Sequence, residues 1–145
     1  CVTLIEPLAA QRGIRIDRES LPDLTVQADK VRLKQALVNL FSNAIKYNRE
    51  KGTIEVRAYE KDGVIAVEVK DSGYGIPKDQ QGKIFEKFFR ATSDHTRGTV
   101  GTGLGLFITR MLVEKMGGKI GFSSVENEGS TFFFSIPRAK GVLKK

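Results

Sequence analysis

The amino-acid sequence predicts an α/β two-layer sandwich, an open mixed and mostly antiparallel sheet with helices packed on one face. Three observations carry that expectation. A length of 145 residues suits one ordinary core and leaves little room for a second. Two pairs of segments alternate apolar and polar residues around glycine-containing turns, as hairpins with one buried face do. Two further stretches repeat their apolar residues at helical spacing, one before the first hairpin and one before the second.

The elements follow in chain order. Residues 2–12 place Leu4, Ile5, Leu8 and Ala9 at helical spacing, with Pro7 in the first turn or at a kink and Gly13 closing the helix. Ile14 to Arg18 alternates apolar and charged residues as a strand, and Leu24 to Ala28 reads as another short strand after a turn at Pro22-Asp23. Asp29 is placed to N-cap the longest helix, which carries Val31, Leu33, Ala36, Leu37, Leu40, Phe41, Ala44 and Ile45 on one broad face and ends near Asn48. Thr53 to Glu60 and Val64 to Lys70 flank Lys61-Asp62-Gly63, a hairpin signal, and a glycine-rich turn follows. Lys83 to Arg90 gathers Ile84, Phe85, Phe88 and Phe89; residues 91–100 are polar, contain Gly98 and are expected to be mobile. Gly103 and Gly105 introduce a helix from Leu106 to Met116, with Ile108, Leu112 and Val113 on one side and Gly117-Gly118 as its stop. Lys119 to Ser124 and Ser130 to Ile136 form the second hairpin around Glu128-Gly129, and the basic tail after Pro137 is expected to fray.

Composition narrows the function. Hydrophobic residues at 40% and charged residues at 28% suit a soluble globular domain, not a disordered chain. Cys1 and His95 are the sole residues of their kinds, which excludes an internal disulfide, a cysteine metal site and a multi-histidine zinc motif. The sequence has neither an apolar run of roughly 18 residues nor a signal core, so the domain is expected to be soluble and to make no membrane contact. Its single cysteine agrees with a reducing compartment, and a cytoplasmic domain is expected, in a parent that an upstream segment could anchor to a membrane. With Lys+Arg 24 against Asp+Glu 17, the net charge of +7 favours an anionic partner, whether nucleic acid, nucleotide or an acidic protein surface. Because the chain starts at Cys1 without an initiator methionine, we expect it to be a piece of a longer protein.

Four clusters carry chemistry. On the long helix, Asn39, Asn43 and Lys46 share a face at about 100° per residue, with Tyr47 alongside. An amide oxygen is a neutral hard ligand suited to Mg²⁺, and a lysine can neutralise a phosphate; taken alone, the same residues suit a solvated helix edge. The second cluster, Asp71-Ser72-Gly73-Tyr74-Gly75-Ile76-Pro77, directly follows a strand. There a carboxylate can accept a hydrogen bond from an exocyclic amine such as adenine N6, and the glycines serve either close approach to a flat ring or a tight turn. Third, Gly101-Thr102-Gly103-Leu104-Gly105-Leu106 opens a helix, where free backbone N–H groups and the positive helix end favour an anion. This run is neither a dinucleotide fingerprint nor a P-loop, since the parallel-strand unit and the Lys-Ser/Thr pair are missing. The fourth cluster, Phe85, Phe88, Phe89 and Arg90, reads as core at Phe85, while Arg90 is either simply exposed or a guanidinium that swings onto a triphosphate.

Together and in this order the clusters resemble the catalytic and ATP-binding domain of the sensor histidine kinases of two-component signalling, in the superfamily of gyrase and the mismatch-repair ATPases. Residues 39–47 are similar to that family's N box, Asp71 to Gly75 to its first glycine box, Phe85 to Phe89 to its F box, and Gly101 to Leu106 to its second glycine box. The likeness runs from about Val2 to Pro137. It implies the histidine kinase fold, with ATP and Mg²⁺ as cofactors. Asn43 would hold the metal, Asn39 and Lys46 the phosphates, and Tyr47 would flank the nucleotide. Asp71 would hold adenine N6, with Gly73, Gly75, Ile76 and Phe89 beside it. Residues 91–100 would form a lid, Arg90 and Gly101, Thr102, Gly103, Leu104, Gly105 and Leu106 would reach the phosphates, and Thr131 would place a hydroxyl near the adenine. Asn48 stands where Thr or Ser is commoner.

The resemblance also bears on mechanism. The gyrase-like ATPases and related serine kinases carry a Glu four residues before the metal-binding Asn, and here that position is Asn39. An amide cannot take a proton at neutral pH, so the domain is expected to hold ATP without activating water, leaving phosphoryl transfer to positioning and charge neutralisation by Asn39, Lys46 and Arg90. The acceptor histidine is expected on a separate dimerisation domain of the same protein, with residues 1–12 as the junction helix, 13–137 as the catalytic domain and 138–145 as a basic tail. A homodimeric parent and a response-regulator receiver domain downstream are the implied partners. His95 lacks a helical acceptor motif. The alternatives are a serine kinase or ATPase of the same superfamily, disfavoured by Asn39, and a nucleic-acid module, disfavoured by the absence of an aromatic-basic reader motif.

Overall fold

The computed structural model describes Pro7, Ala9 to Gln11, and residues 13–18, 30–86 and 105–137. Five strands and two long helices fill them: β1 (Arg15–Arg18), α1 (Lys30–Lys46), β2 (Thr53–Lys61), β3 (Val64–Asp71), a 3-10 turn (Lys78–Lys83), α2 (Gly105–Lys115), β4 (Lys119–Val125) and β5 (Gly129–Pro137). The sheet order is β1-β2-β3-β5-β4. β1 runs parallel to β2, which requires the crossover that α1 supplies, and every other pairing is antiparallel. The expected two-layer α/β sandwich with a mixed sheet is therefore the fold observed. The expected strand at Leu24 to Ala28, the Asp29 cap, the lid and the basic tail lie outside the described residues.

Local chemistry sets the boundaries. Pro7 and Ala9 to Gln11 are helical, and Gly13 ends that turn in the left-handed region at φ 68°, its N–H bonded to Ala10 O and that of Ile14 to Ala9 O. Asp62 and Gly63 both have positive φ, 53° and 81°, between the paired Lys61 and Val64, the two-residue turn whose twist matches its strands. The core lies between the sheet and the helices. Ala36, Leu40, Phe41, Ala44 and Ile45 of α1 and Val113 of α2 meet Ile54, Val56, Ile65, Val69, Phe132, Phe134 and Ile136 of the sheet. Phe85 joins them, edge-on to Phe122 and Phe132. Val31 departs from the expected apolar face and is 74% exposed. It lies nine residues before the buried Leu40, which at about 100° per residue is half a turn away. On α2, Thr109 is fully buried and returns its hydroxyl to Gly105 O at 2.7 Å, an i to i−4 bond that lets a polar residue face the core.

Candidate functional site

One end of the sheet is polar where its continuation is core. Strand register aligns Ile54, Asp71, Ser130 and Ser124 across β2, β3, β5 and β4, and the next row inward is Val56, Val69, Phe132 and Phe122. Opposed residues, and residues two apart on a strand, share a face, so Asp71 continues an apolar row and points to the helix side. It is 7% exposed. Its Oδ1 accepts the N–H groups of Gly73 at 2.9 Å and Ser130 at 3.3 Å, and among the described residues nothing donates to Oδ2. Burial pushes the carboxyl from its ordinary 3.8 up to about 6, offset in part by those two N–H bonds. A desolvated carboxylate with one unspent oxygen is an acceptor suited to an external N–H donor.

The hydroxyl beside it belongs to Ser130. The expected Thr131 pairs with Lys70 and Ser123 on the opposite face of the sheet, so that expectation is corrected by one residue. Ser130 alternates in step with the buried Phe132, Phe134 and Ile136, a signal present in the sequence that identifies the inward position. Its Oγ lies 2.8 Å from Ser124 Oγ, which accepts Ile76 N–H at 2.8 Å and donates to Gly129 O.

The loop after β3 is shaped by close approach to other backbone. A Cβ on Gly73 would stand 2.4 Å from Tyr47 O, and one on Gly75, at φ 69°, would stand 2.2 Å from Val125 O. Of the two uses open to these glycines, the tight, backbone-packed turn is the one that forbids a side chain. Tyr74 N–H donates to Tyr47 O at 3.3 Å, Asn127 N–H donates to Tyr74 O at 2.6 Å, and the Arg49 guanidinium covers the Tyr74 ring at 4.8 Å. Ile76 is largely core at 9% exposed, and Gln81 Nε2 secures it by donating to Ile76 O and Ser124 O.

α1 brings the second group of candidates to the same loop. Asn39 and Asn43 are half-buried, and no described residue hydrogen-bonds either amide side chain; Lys46 is exposed in the last turn and Tyr47 is half-buried just beyond it. These amides offer neutral oxygens. The described residues contain no group of three or more His, Cys, Asp or Glu that could hold a metal. That donor set fits Mg²⁺ arriving with phosphates and waters and taking a single amide ligand. Gly105 opens α2 and Leu106 packs against the core, while Phe88, Phe89, Arg90, Gly101, Thr102, Gly103 and Leu104 lie outside the described residues.

Sequence reasoning gave Asn48 no role, yet it is fully buried between α1, β2 and the loop. An Asn directly after a motif-bearing helix reads as an ordinary terminus, and it is the neighbours at positions 53 and 72 that give it work.

Similarity to known proteins extends over this whole arrangement. Residues 28–140 match the family model of the histidine kinase-, DNA gyrase B- and HSP90-like ATPases. The signal transduction histidine-protein kinase BarA of Escherichia coli (strain K12) is 41% identical over 143 residues, covering 93% of this chain but only 15% of BarA. The catalytic domain of histidine kinase ThkA, solved free of nucleotide, superposes with TM-score 0.78 at 37% identity over 94% of this chain and 86% of that one. ThkA has also been solved with response regulator protein TrrA, with TM-score 0.74 at 34% identity over 94% of this chain and 38% of that one. Full-length ShkA with AMPPNP gives TM-score 0.81 at 36% identity over 94% of this chain and 28% of that one. No described helix is long and apolar enough to cross a membrane. The chain belongs to the histidine kinase-, gyrase B- and HSP90-like ATPase family and, within it, to the catalytic domains of sensor histidine kinases.

Proposed function

We propose that this domain binds ATP with Mg²⁺ and transfers the γ-phosphate to a histidine on a separate dimerisation domain of the same protein. The observation that carries the reading is the buried Asp71, an ionisable acceptor at the end of an apolar row with one oxygen to which no described residue donates, where an adenine amine would supply the donor. Asn43 would hold the metal and Asn39 and Lys46 the phosphates, all on the helix whose end, at Tyr47 and Asn48, meets the adenine loop. The metal, when bound, supplies charge neutralisation on the transferring phosphoryl group. Arg90, Phe89 and the run Gly101 to Leu106 complete the phosphate side in this reading, and Tyr47, Gly73, Gly75 and Ile76 the base side. Asn39 places an amide, which takes no proton at neutral pH, where a water-activating carboxylate would stand, and that favours transfer to an imidazole over hydrolysis. A homodimeric parent, a cytoplasmic location for the domain and a response-regulator receiver domain belong to the same proposal; ThkA's structure with TrrA supports the last of these.

The test uses the chain with ATP, Mg²⁺ and a separately prepared dimerisation domain from the same gene. Acid-labile, alkali-stable phosphate on that domain, with little ATP turnover by the chain alone, is the expected result. Steady ATP hydrolysis without acceptor would support the ATPase reading instead.

A further inference from the structure

We propose that Asn48 is a positioning residue for nucleotide recognition, locking Ser72 and thereby the Asp71 carboxylate onto the end of α1. The inference rests on the reading of Asp71 as the adenine acceptor. Asn48 Nδ2 donates to Thr53 O at 3.0 Å, and its Oδ1 accepts Arg49 N–H at 2.8 Å and the Ser72 hydroxyl at 3.1 Å. Thr53 closes the circuit: its N–H donates to Ser72 Oγ at 2.8 Å and its carbonyl also takes Ser72 N–H at 3.1 Å. Asn48 is 0% exposed, and a Cβ on Gly52 would stand 2.3 Å from its Oδ1, so this amide fills a space held open by a glycine.

The placement gives the circuit its consequence. α1 carries Asn43 and Lys46 five and two residues before Asn48, while Ser72 directly follows Asp71 and precedes Gly73, whose N–H holds Asp71 Oδ1 at 2.9 Å. One amide thus fixes the base-recognising carboxylate relative to the helix that would hold metal and phosphate. It has both a donor and an acceptor to do so, and an apolar side chain of the same size would leave Thr53 O and the Ser72 hydroxyl each short of a partner. Without Asn48, Ser72 keeps only its two bonds to Thr53, the peptide to Gly73 is freer to turn, and the Asp71 carboxylate stands to lose the shorter of the two N–H bonds that orient it.

A plain helix-end cap would affect folding alone, so the test reads base discrimination. Calorimetry of the 145-residue chain with Mg²⁺ and either ATP or GTP is run on the wild type, Asn48→Ala, Asn48→Thr, Ser72→Ala and Asp71→Asn, with thermal melting alongside. Asn48→Ala and Ser72→Ala should each weaken ATP by about tenfold and lower the ATP-to-GTP preference by about the same factor. Asn48→Thr, whose hydroxyl both donates and accepts, should keep most of that preference. An unchanged preference in Asn48→Ala and Ser72→Ala, with the preference lost in Asp71→Asn, overturns the positioning role whatever the melting temperatures do. A preference that survives Asp71→Asn overturns the adenine reading and this inference with it. Should Asn48→Ala fail to fold, Ser72→Ala carries the decision, because it opens the same circuit by removing one oxygen.

Discussion

The proposed base side and the proposed phosphate side of this site are built on opposite plans. Around Asp71, the side chains of Ser72, Ser124, Ser130 and Asn48 bond to backbone and to one another, and two glycines press the loop against neighbouring carbonyls. Along α1, Asn39 and Asn43 present half-buried amides that no described residue engages. The first plan fixes an acceptor before ligand arrives, so selectivity carries little ordering cost; the second leaves the polar groups to be completed by the ligand itself. On the proposed function, a domain that binds one nucleotide and then surrenders its terminal phosphate has reason to be rigid at the base and open at the phosphates.

Substitutions that separate the two sides test this contrast. Asn43→Ala should reduce phosphate transfer to an added dimerisation domain by about 100-fold or more while ATP still binds through the base side. Normal transfer in the presence of Mg²⁺ would show that α1 does not hold the metal. Asp71→Asn should weaken ATP by about 10- to 100-fold, because an amide N–H replaces the acceptor. The same variant should be more stable than the wild type at neutral pH. A carboxyl raised from 3.8 to about 6 binds its proton more tightly folded than unfolded, so its contribution to stability is present below the lower value and lost as pH rises through the upper one. Relieving the buried charge at pH 7 is worth on the order of 1–3 kcal/mol, read by denaturant titration. A less stable variant would mean that the ionised form is held by a partner.

The same ionisation gives nucleotide binding a pH dependence. Below about pH 6 the acceptor becomes protonated, and affinity for ADP should fall by about tenfold by pH 5. Dividing by the profile of Asp71→Asn removes the nucleotide's own titration, and a flat quotient would show that Asp71 is ionised throughout. The smallest contrast compares two glycines of positive φ. Gly75→Ala adds a carbon 2.2 Å from Val125 O and should cost about 2–4 kcal/mol, whereas Gly63→Ala, with nothing within 4 Å, should cost only the strain of its φ, about 1 kcal/mol. Equal costs would mean that the loop yields to accommodate the added carbon.

Much of this was legible in the sequence, because it depends on period and punctuation. Alternation around Asp62-Gly63 and Glu128-Gly129 located β2, β3, β4 and β5 to within a residue or two, and helical spacing located α1 and α2. Asp71 was legible as a carboxylate at a strand end, though its burial depends on the cross-strand row. Two misassignments came from weighing residue type above phase. Val31 is apolar but half a turn from Leu40, and Thr131 has a hydroxyl but shares the outward face of Phe133. The role of Asn48 was hidden for another reason. Its partners lie 5 and 24 residues along the chain, and only tertiary structure brings them together.

The alternation of β5 ties recognition to assembly. Slipping β5 by one residue against β3 would set Thr131 opposite Asp71, and it would also turn Phe132, Phe134 and Ile136 out to solvent. A molecule misthreaded beside Asp71 is thereby one that has lost the burial of three large apolar side chains. The hydrophobic effect acts here as a guard on register: the burial that holds β5 in the core also holds Ser130, and not Thr131, opposite Asp71.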